Sequence, residues 1–460
     1  MNVGRRGRQA VFFAATTIAL FASFATNIFG VGGPGQFASF QEDSDALVVE
    51  RIVTHAEGRD AFFGGFLVAS AAHNTQRLYS RPPSARADAA GREAYLSHFG
   101  LQGTIAAWLA GTDVERTGLS IARLHLFTAL ALALVLAALV TAARAELGLA
   151  AAVSSVVLLA ASNWLVLFSR SLYWEIWTCY LPVLFVWLAY PRLSDRWRIP
   201  IVCAGVFGLV LLRALSSYEY ITNVALGAAV PLVYFETQRA SLRVVARHVV
   251  LLIAVGGLAV VAAIALHLHK LAEYLGGWDR AVAVLGDRVV YRSFGVSSLG
   301  FGYAPPGTRL LREVVSRAPW CERGCLAAVA TGGYLLQPAF TIPGAHVGVP
   351  IGFVIGVALA LIWRVLRARR AAPGRLLDAR EAFAAAALVG LTASVSWAVP
   401  MRNHMINHLH INAIIFYLPF LPLAFLLISA ESVRALRRIG SRVRVATRGG
   451  ADVSAHTTAG

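Results

Sequence analysis

Apolar positions along this chain come in long runs, not at the spacing of an amphipathic helix or a half-buried strand, and most charged residues fall near the ends of the runs. Such runs predict spanning helices, because a helix rising about 1.5 Å per residue needs roughly 20 apolar residues to cross the hydrocarbon layer. About ten runs meet or nearly meet that length. They extend from Ala10 to Val31, Leu119 to Ala143, Leu149 to Phe168, Tyr173 to Tyr190, Ile199 to Leu212, Ile221 to Phe235, Val249 to Leu268, Val347 to Trp363, Ala382 to Val399 and Ile411 to Ile428. The pattern predicts an all-α membrane protein of about ten transmembrane helices, with two long extracytoplasmic loops, 32–118 and 269–346. Within the first loop two stretches read as amphipathic helices lying flat in the interface. One is Arg59 to Leu78, with Phe62, Phe63, Phe66 and Leu67; the other is Arg92 to Leu109, with Tyr95, Phe99, Leu101 and Trp108.

Charge sets the orientation. Arg5, Arg6 and Arg8 precede the first run, and Arg144, then Arg192, Arg196 and Arg198, then Arg239, Arg243 and Arg247 fall in alternate short connections. A further cluster from Arg364 to Arg380 joins two late runs, and Arg434 to Arg444 follow the last. Basic short loops stay in the cytoplasm, so both termini are placed inside and both long loops outside. The chain then divides into a cytoplasmic N-terminus and first helix (1–31), an outer loop (32–118), helices two to seven (119–268), a second outer loop (269–346), helices eight to ten (347–430) and a basic cytoplasmic tail (431–460). The first run is longer than a usual signal core, lacks a clear small-x-small cleavage site and reads as an uncleaved signal anchor. The expected location is a bacterial inner membrane, and the small, polar residues beyond Gly449 read as disordered.

Composition removes the main competitors. At 57% hydrophobic residues and a mean hydropathy of +0.64 the chain is too apolar for a soluble globular domain. Its net charge of +17 looks like a nucleic-acid signal, but the arginines sit beside apolar ends, where they orient helices and meet anionic headgroups. Membrane lipid is therefore an expected partner and nucleic acid is not. Cys179 and Cys203 lie within apolar runs and read as core residues, whereas for Cys321 and Cys325, in the second outer loop, a disulfide and two free thiols are both open.

With orientation set, the unusual polar residues fall on the outer face in four groups. They are the cluster Glu42, Asp43 and Asp45 just after the first run; the turn from Ser169 to Glu175, with Arg170; the turn from Arg213 to Tyr220, with Tyr218 and Glu219; and the stretch from Arg402 to His410, with His404 and His408. An ionised group at membrane depth costs a few kcal/mol unless it is paired or faces water. Arg170, Glu175, Arg213 and Glu219 are thus either structural pairs, Arg170 with Glu175 and Arg213 with Glu219, or functional groups. His404 and His408 share a helix face, and His410 adds a third imidazole, but the spacing matches no zinc motif. Hydrogen bonding to a phosphate or sugar is the preferred reading of the histidines. His267, His269 and Lys270 read as a headgroup anchor at the end of their span.

A first helix starting inside, an outer loop with acids soon after it, flat amphipathic segments and a many-span bundle with basic outer turns resemble the C-type membrane glycosyltransferase superfamily. Shorter segments, from Tyr95 to Gly103, Ser217 to Ile221 and Ser396 to Phe420, resemble uncharacterised bacterial polytopic membrane proteins. The superfamily resemblance implies transfer of a sugar from a polyprenyl-phosphate donor to a glycan, lipid or protein acceptor of the cell envelope. It further implies that an acid of the first outer loop, Asp43 or Asp45, serves as base or orients the acceptor. Glu42, Arg170, Glu175, Arg213, Tyr218, Glu219, Arg402, His404 and His408 are then candidates for binding substrate. Here Glu-Asp-Ser-Asp stands where better-known members carry a simpler acidic pair, so the choice between Asp43 and Asp45 stays open. A phosphate leaving group already carries charge, so no cofactor is expected and a divalent metal is not obligatory. The competing expectation is a transporter or flippase for a lipid-linked or anionic substrate, which calls for ionisable residues in mid-span and for Gly or Pro breaks in matched halves. A non-catalytic scaffold for envelope assembly is the third.

Overall fold

The structure, a computed structural model, describes residues 3–40, 42–70, 91–113, 115–294, 324–342, 344–345, 347–367, 376–408 and 411–456. It is predominantly helical. The chain opens with α1 (Val3–Thr26), a short α2 (Pro34–Ser39) and α3 (Glu42–Ala56). A 3-10 turn at Asp60–Phe63 leads into an antiparallel ribbon of β1 (Leu67–Ser70) and β2 (Arg92–Tyr95), with Leu67 opposite Tyr95, and then α4 (Leu101–Ala110). Next come α5 (Thr117–Leu147), α6 (Leu149–Ala160), α7 (Asn163–Phe168), α8 (Ile176–Ala189), α9 (Asp195–Ser216), α10 (Ile221–Gly227), α11 (Ala229–Glu236) and α12 (Leu242–Leu275). The last part holds α13 (Trp278–Phe294), α14 (Gly324–Leu336), a second ribbon of β3 (Pro338–Ile342) and β4 (Val347–Pro350), α15 (Ile351–Arg367), α16 (Ala379–Ser396), α17 (Arg402–Asn407) and α18 (Phe420–His456).

Among the described residues, four helical segments are long and apolar enough to cross a membrane: Gly7–Thr26 of α1, and α5, α9 and α12. Their packing follows membrane rules, in which small residues let helices approach and large apolar ones face lipid. In α5, Ala129, Ala133 and Ala137 are buried at four-residue spacing, while Leu126, Leu130 and Leu134 are exposed at the same spacing. α5 packs along α1 and α8, and α9 along α12.

Several boundaries differ from those the pattern predicts. The run from Leu149 to Phe168 breaks at Ala161 and Ser162, where the Ser162 hydroxyl donates to Ala339 O at 3.2 Å instead of continuing a helix. The run from Ile221 to Phe235 divides at Ala228 into α10 and α11. Arg59 to Leu78 is not an interfacial helix: Gly64 and Gly65, at φ 57° and 74°, turn the backbone left-handed and send it into β1. Residues 71–90 lie outside those described. In the segment read as a second outer loop, the described residues are structured: α12 runs on to Leu275 and is followed by α13, α14 and a ribbon. Cys321 falls outside the described residues, and with it the possible Cys321–Cys325 bridge. The tail expected to be disordered beyond Gly449 continues as α18 to His456.

Specific polar contacts tie the segments around α3 to the bundle. Arg92 of β2 reaches Glu50 Oε2 at 2.9 Å and Glu57 Oε2 at 2.7 Å, both near α3. At Gly103 of α4 a Cβ would collide with Leu67 Cδ2 of β1 and lie 3.3 Å from Arg51 Cγ of α3, so any side chain there has to displace Leu67. Lys270 is not a headgroup anchor. Its ammonium donates to Gly65 O at 3.0 Å and Phe99 O at 2.9 Å and sits 4.4 Å from the ring centres of Phe66 and Phe99. Nor is His267, which is buried with Nδ1 3.1 Å from the Tyr218 hydroxyl. His269 is exposed and pairs with Glu273 at 3.1 Å.

Candidate functional site

The acidic cluster is the first turn of α3, where carboxylates are favoured by the helix dipole. Residues two apart on a helix point about 200° away from each other, and Asp43 and Asp45 accordingly face opposite sides. Asp45 is buried. Its Oδ1 accepts from Ser171 Oγ at 2.7 Å and Tyr173 N at 3.1 Å, and Oδ2 lies 3.8 Å from His125 Nδ1. Burial raises its pKa against the opposing pull of His125 and these hydrogen bonds. Asp43 is exposed and lines a cavity of about 480 Å³ that also takes in Tyr95, Tyr173, Glu219, Arg288, Tyr291, Arg292, Asn403, His404 and His408.

Glu219 is the hub of this cavity. Its Oε1 lies 3.1 Å from His98 Nε2, accepts from Arg292 Nη1 at 2.9 Å and from the Tyr173 hydroxyl at 3.3 Å, and its Oε2 accepts from Ser217 Oγ. Arg292 continues through Nη2 to the Tyr95 hydroxyl at 3.3 Å, and His98 Nε2 is 2.7 Å from the Tyr173 hydroxyl. Burial alone would protonate Glu219, but His98 and Arg292 oppose it and hold the carboxyl well below the usual range. Burial likewise opposes the charge on Arg292, yet Glu219 outweighs it and raises the guanidinium pKa.

The imidazoles behave differently. Burial pushes His98 down more than Glu219 pulls it up, and burial with neighbouring His408 holds His404 well below the usual value. His98 Nδ1 is buried without a hydrogen-bond partner among the described residues, which places the proton of the neutral ring on Nε2, facing Glu219. A histidine whose pKa is depressed on folding binds more protons when unfolded, so its stabilisation is complete above the unfolded value of about 6.5 and is lost as pH falls below it. The thermal midpoint of detergent-solubilised protein is therefore expected to drop between pH 7.5 and 5.5, and His404→Asn to flatten that dependence; an equal pH slope in the variant would show that His404 takes no part.

Arg213 lies beneath the cavity, fully buried. Of the two readings open from sequence, the ion pair with the Glu219 carboxylate is not formed; instead Nη2 donates to the main-chain oxygen of Glu219 at 3.1 Å and Nη1 to Trp174 O at 3.0 Å. Those carbonyls immediately precede Glu175 and Tyr220, at φ 37° and 62°, two of the three non-glycine residues with positive φ among those described. Left-handed backbone at such residues costs on the order of 1–3 kcal/mol, so one guanidinium holds two strained turns together.

All four outer groups reach one cavity, through Asp43, through Tyr173 and Trp174, through Glu219, and through Asn403, His404 and His408. Arg170, Glu175, Arg213 and Tyr218 do not line it. Arg170 has no bond to Glu175: its Nη2 donates to Phe37 O at 3.1 Å and its guanidinium lies over the Phe37 ring at 4.1 Å. Tyr218 meets His267. Arg402 opens α17, with its side chain outside what is described, and His410 lies outside the described residues. The His404 and His408 rings lie with centres 4.4 Å apart, tilted 37° to each other. Among the described residues no group of three or more His, Cys, Asp or Glu is arranged to hold a metal ion. Sequence reasoning missed Arg288, Tyr291 and Arg292, which α13 brings in, and His98. The signal available was that Arg288 and Arg292 stand one helical turn apart on an outer segment.

These features define an apolar, helical, membrane-type chain with a charged cavity at the end of its acidic helix. No family model, curated protein or solved structure matches the chain.

Proposed function

We propose that the protein is a polytopic membrane glycosyltransferase of the C-type layout, moving a sugar from a polyprenyl-phosphate donor to a cell-envelope acceptor at the outer face of a bacterial inner membrane. The observation that carries this reading is the exposed carboxylate of Asp43 in the same cavity as Arg288, Arg292, His404 and His408. In this reading the chain crosses about ten times, α6 with α7 and α10 with α11 each counting as one crossing, and both termini are cytoplasmic.

Transfer forms a bond between the acceptor hydroxyl oxygen and the anomeric carbon and breaks the bond from that carbon to the phosphate. The electron pair leaves on the phosphate oxygen, and Asp43 takes the hydroxyl proton. Arg288, exposed at the cavity wall, binds the phosphate oxygens, to which guanidinium is matched in geometry. Arg292, already bonded to Glu219, adds positive potential at the developing charge, and the two adjacent imidazoles face the phosphate or the sugar hydroxyls. Arg213 positions the Trp174 and Glu219 turns without touching substrate.

The test is reconstitution. Purified protein in proteoliposomes, supplied with radiolabelled polyprenyl-phosphate sugars and envelope extract, is expected to pass label from the lipid to the acceptor fraction, and Arg288→Ala to slow this about a hundredfold. Label that crosses the bilayer while still attached to its lipid, with no transfer, would overturn the reading in favour of translocation.

A further inference from the structure

The opposite face of α3 borders a second cavity of about 480 Å³, closed by α2 and the outer end of α5. Its chemistry differs from that of the first. Much of its wall is apolar, supplied by residues such as Phe40, Val49, Ile121 and Leu126, while Glu42, Asp45, His125 and Arg170 bring both signs of charge to it. Leu119, Leu126 and Phe127, at this end of α5, are exposed large hydrophobics, the mark of a surface turned to lipid.

The polar groups are poised for a ligand carrying both charges. The Arg170 guanidinium makes a single hydrogen bond among the described residues, to Phe37 O, and lies over the Phe37 ring, so most of its five donors remain for an anion. His125 Nδ1 donates to Arg170 O at 2.6 Å, which leaves Nε2 as an acceptor in the neutral ring. Asp45, only 8% exposed, lines the cavity with Oδ1 held by Ser171 and Tyr173 and Oδ2 3.8 Å from His125 Nδ1. Glu42 stands at the same wall, in the first turn of α3, and brings a second carboxylate to the cavity.

We propose that this cavity binds the zwitterionic headgroup of a phosphoethanolamine lipid, with the phosphate on Arg170, the primary ammonium between Glu42, Asp45 and His125, and the acyl chains along α5. Two carboxylates against one guanidinium disfavour a purely anionic headgroup. Three N–H donors suit the three acceptors, which a quaternary choline cannot satisfy. The inference rests on α5 facing lipid and is independent of sugar transfer.

The test is native mass spectrometry of full-length protein exchanged into ethanolamine, choline or glycerol phospholipids with identical acyl chains. At least tenfold more retained ethanolamine lipid than either other class is expected, with a tenfold loss in Glu42→Gln and in Arg170→Gln. Ala122→Trp, which fills the cavity from its exposed edge and leaves every polar group in place, is expected to abolish retention at an unchanged thermal midpoint. Equal retention of the three lipid classes, or full retention of ethanolamine lipid by Ala122→Trp, would overturn the proposal.

Discussion

Arg213→Met is expected to destabilise the protein by about 3–5 kcal/mol, the range seen when one member of a buried charged network is removed. The side chain is fully buried and its donors satisfy Trp174 O, Glu219 O and, at 3.4 Å, Thr178 Oγ1. Methionine fills a similar volume, so the loss is polar rather than a cavity effect. Two carbonyls beside left-handed residues lose their donor, each at about 1–3 kcal/mol. Arg213→Lys keeps the charge, but a single ammonium does not span two carbonyls as a planar fork does, so an intermediate loss is expected. Denaturant unfolding of detergent-purified variants measures both, and a Met variant within about 1 kcal/mol of wild type would remove Arg213 from this role.

The same residue shows where sequence reading stops. Four outer groups were legible as a set, because charge at the ends of apolar runs is unusual and orientation by arginine placed all of them on one face. That they share a cavity follows from topology that only the fold supplies, and so does the division of labour within each group. Arg213 and Glu219 are six residues apart and look like an ion pair, yet the guanidinium goes to main chain and the carboxylate goes to Arg292 and His98, which are distant in sequence. Arg292 was hidden because residues 269–346 carry no long apolar run and so read as loop, although Trp278–Phe294 is helical. The ribbon β1–β2 was hidden for the opposite reason. Phe62, Phe63, Phe66 and Leu67 mimic a helical face, and the two glycines that break it outweigh that periodicity.

Asp43 and Asp45, indistinguishable by sequence, separate by what each carboxylate does in the fold. Asp43→Asn is expected to lower sugar transfer by about 10²–10⁴, the usual contribution of a general base, with a loss of stability of no more than about 1 kcal/mol, the dipole interaction of a first-turn carboxylate. Its side chain is exposed, and the local bond from Ser44 N at 2.8 Å can be accepted equally by an amide oxygen. Asp45→Asn is expected to do the reverse. The amide oxygen can still accept from Ser171 and Tyr173, but the amide NH₂ replaces the oxygen that faces His125, so stability falls by about 1–3 kcal/mol, while transfer per folded molecule stays within about tenfold of wild type, because Asp45 lies on the far side of α3 from Arg288. Measuring transfer and thermal midpoint on both variants separates the two roles. If Asp45→Asn abolished transfer in a stable protein while Asp43→Asn remained active, the base would be Asp45 and the reacting centre would belong to the cavity beside α5.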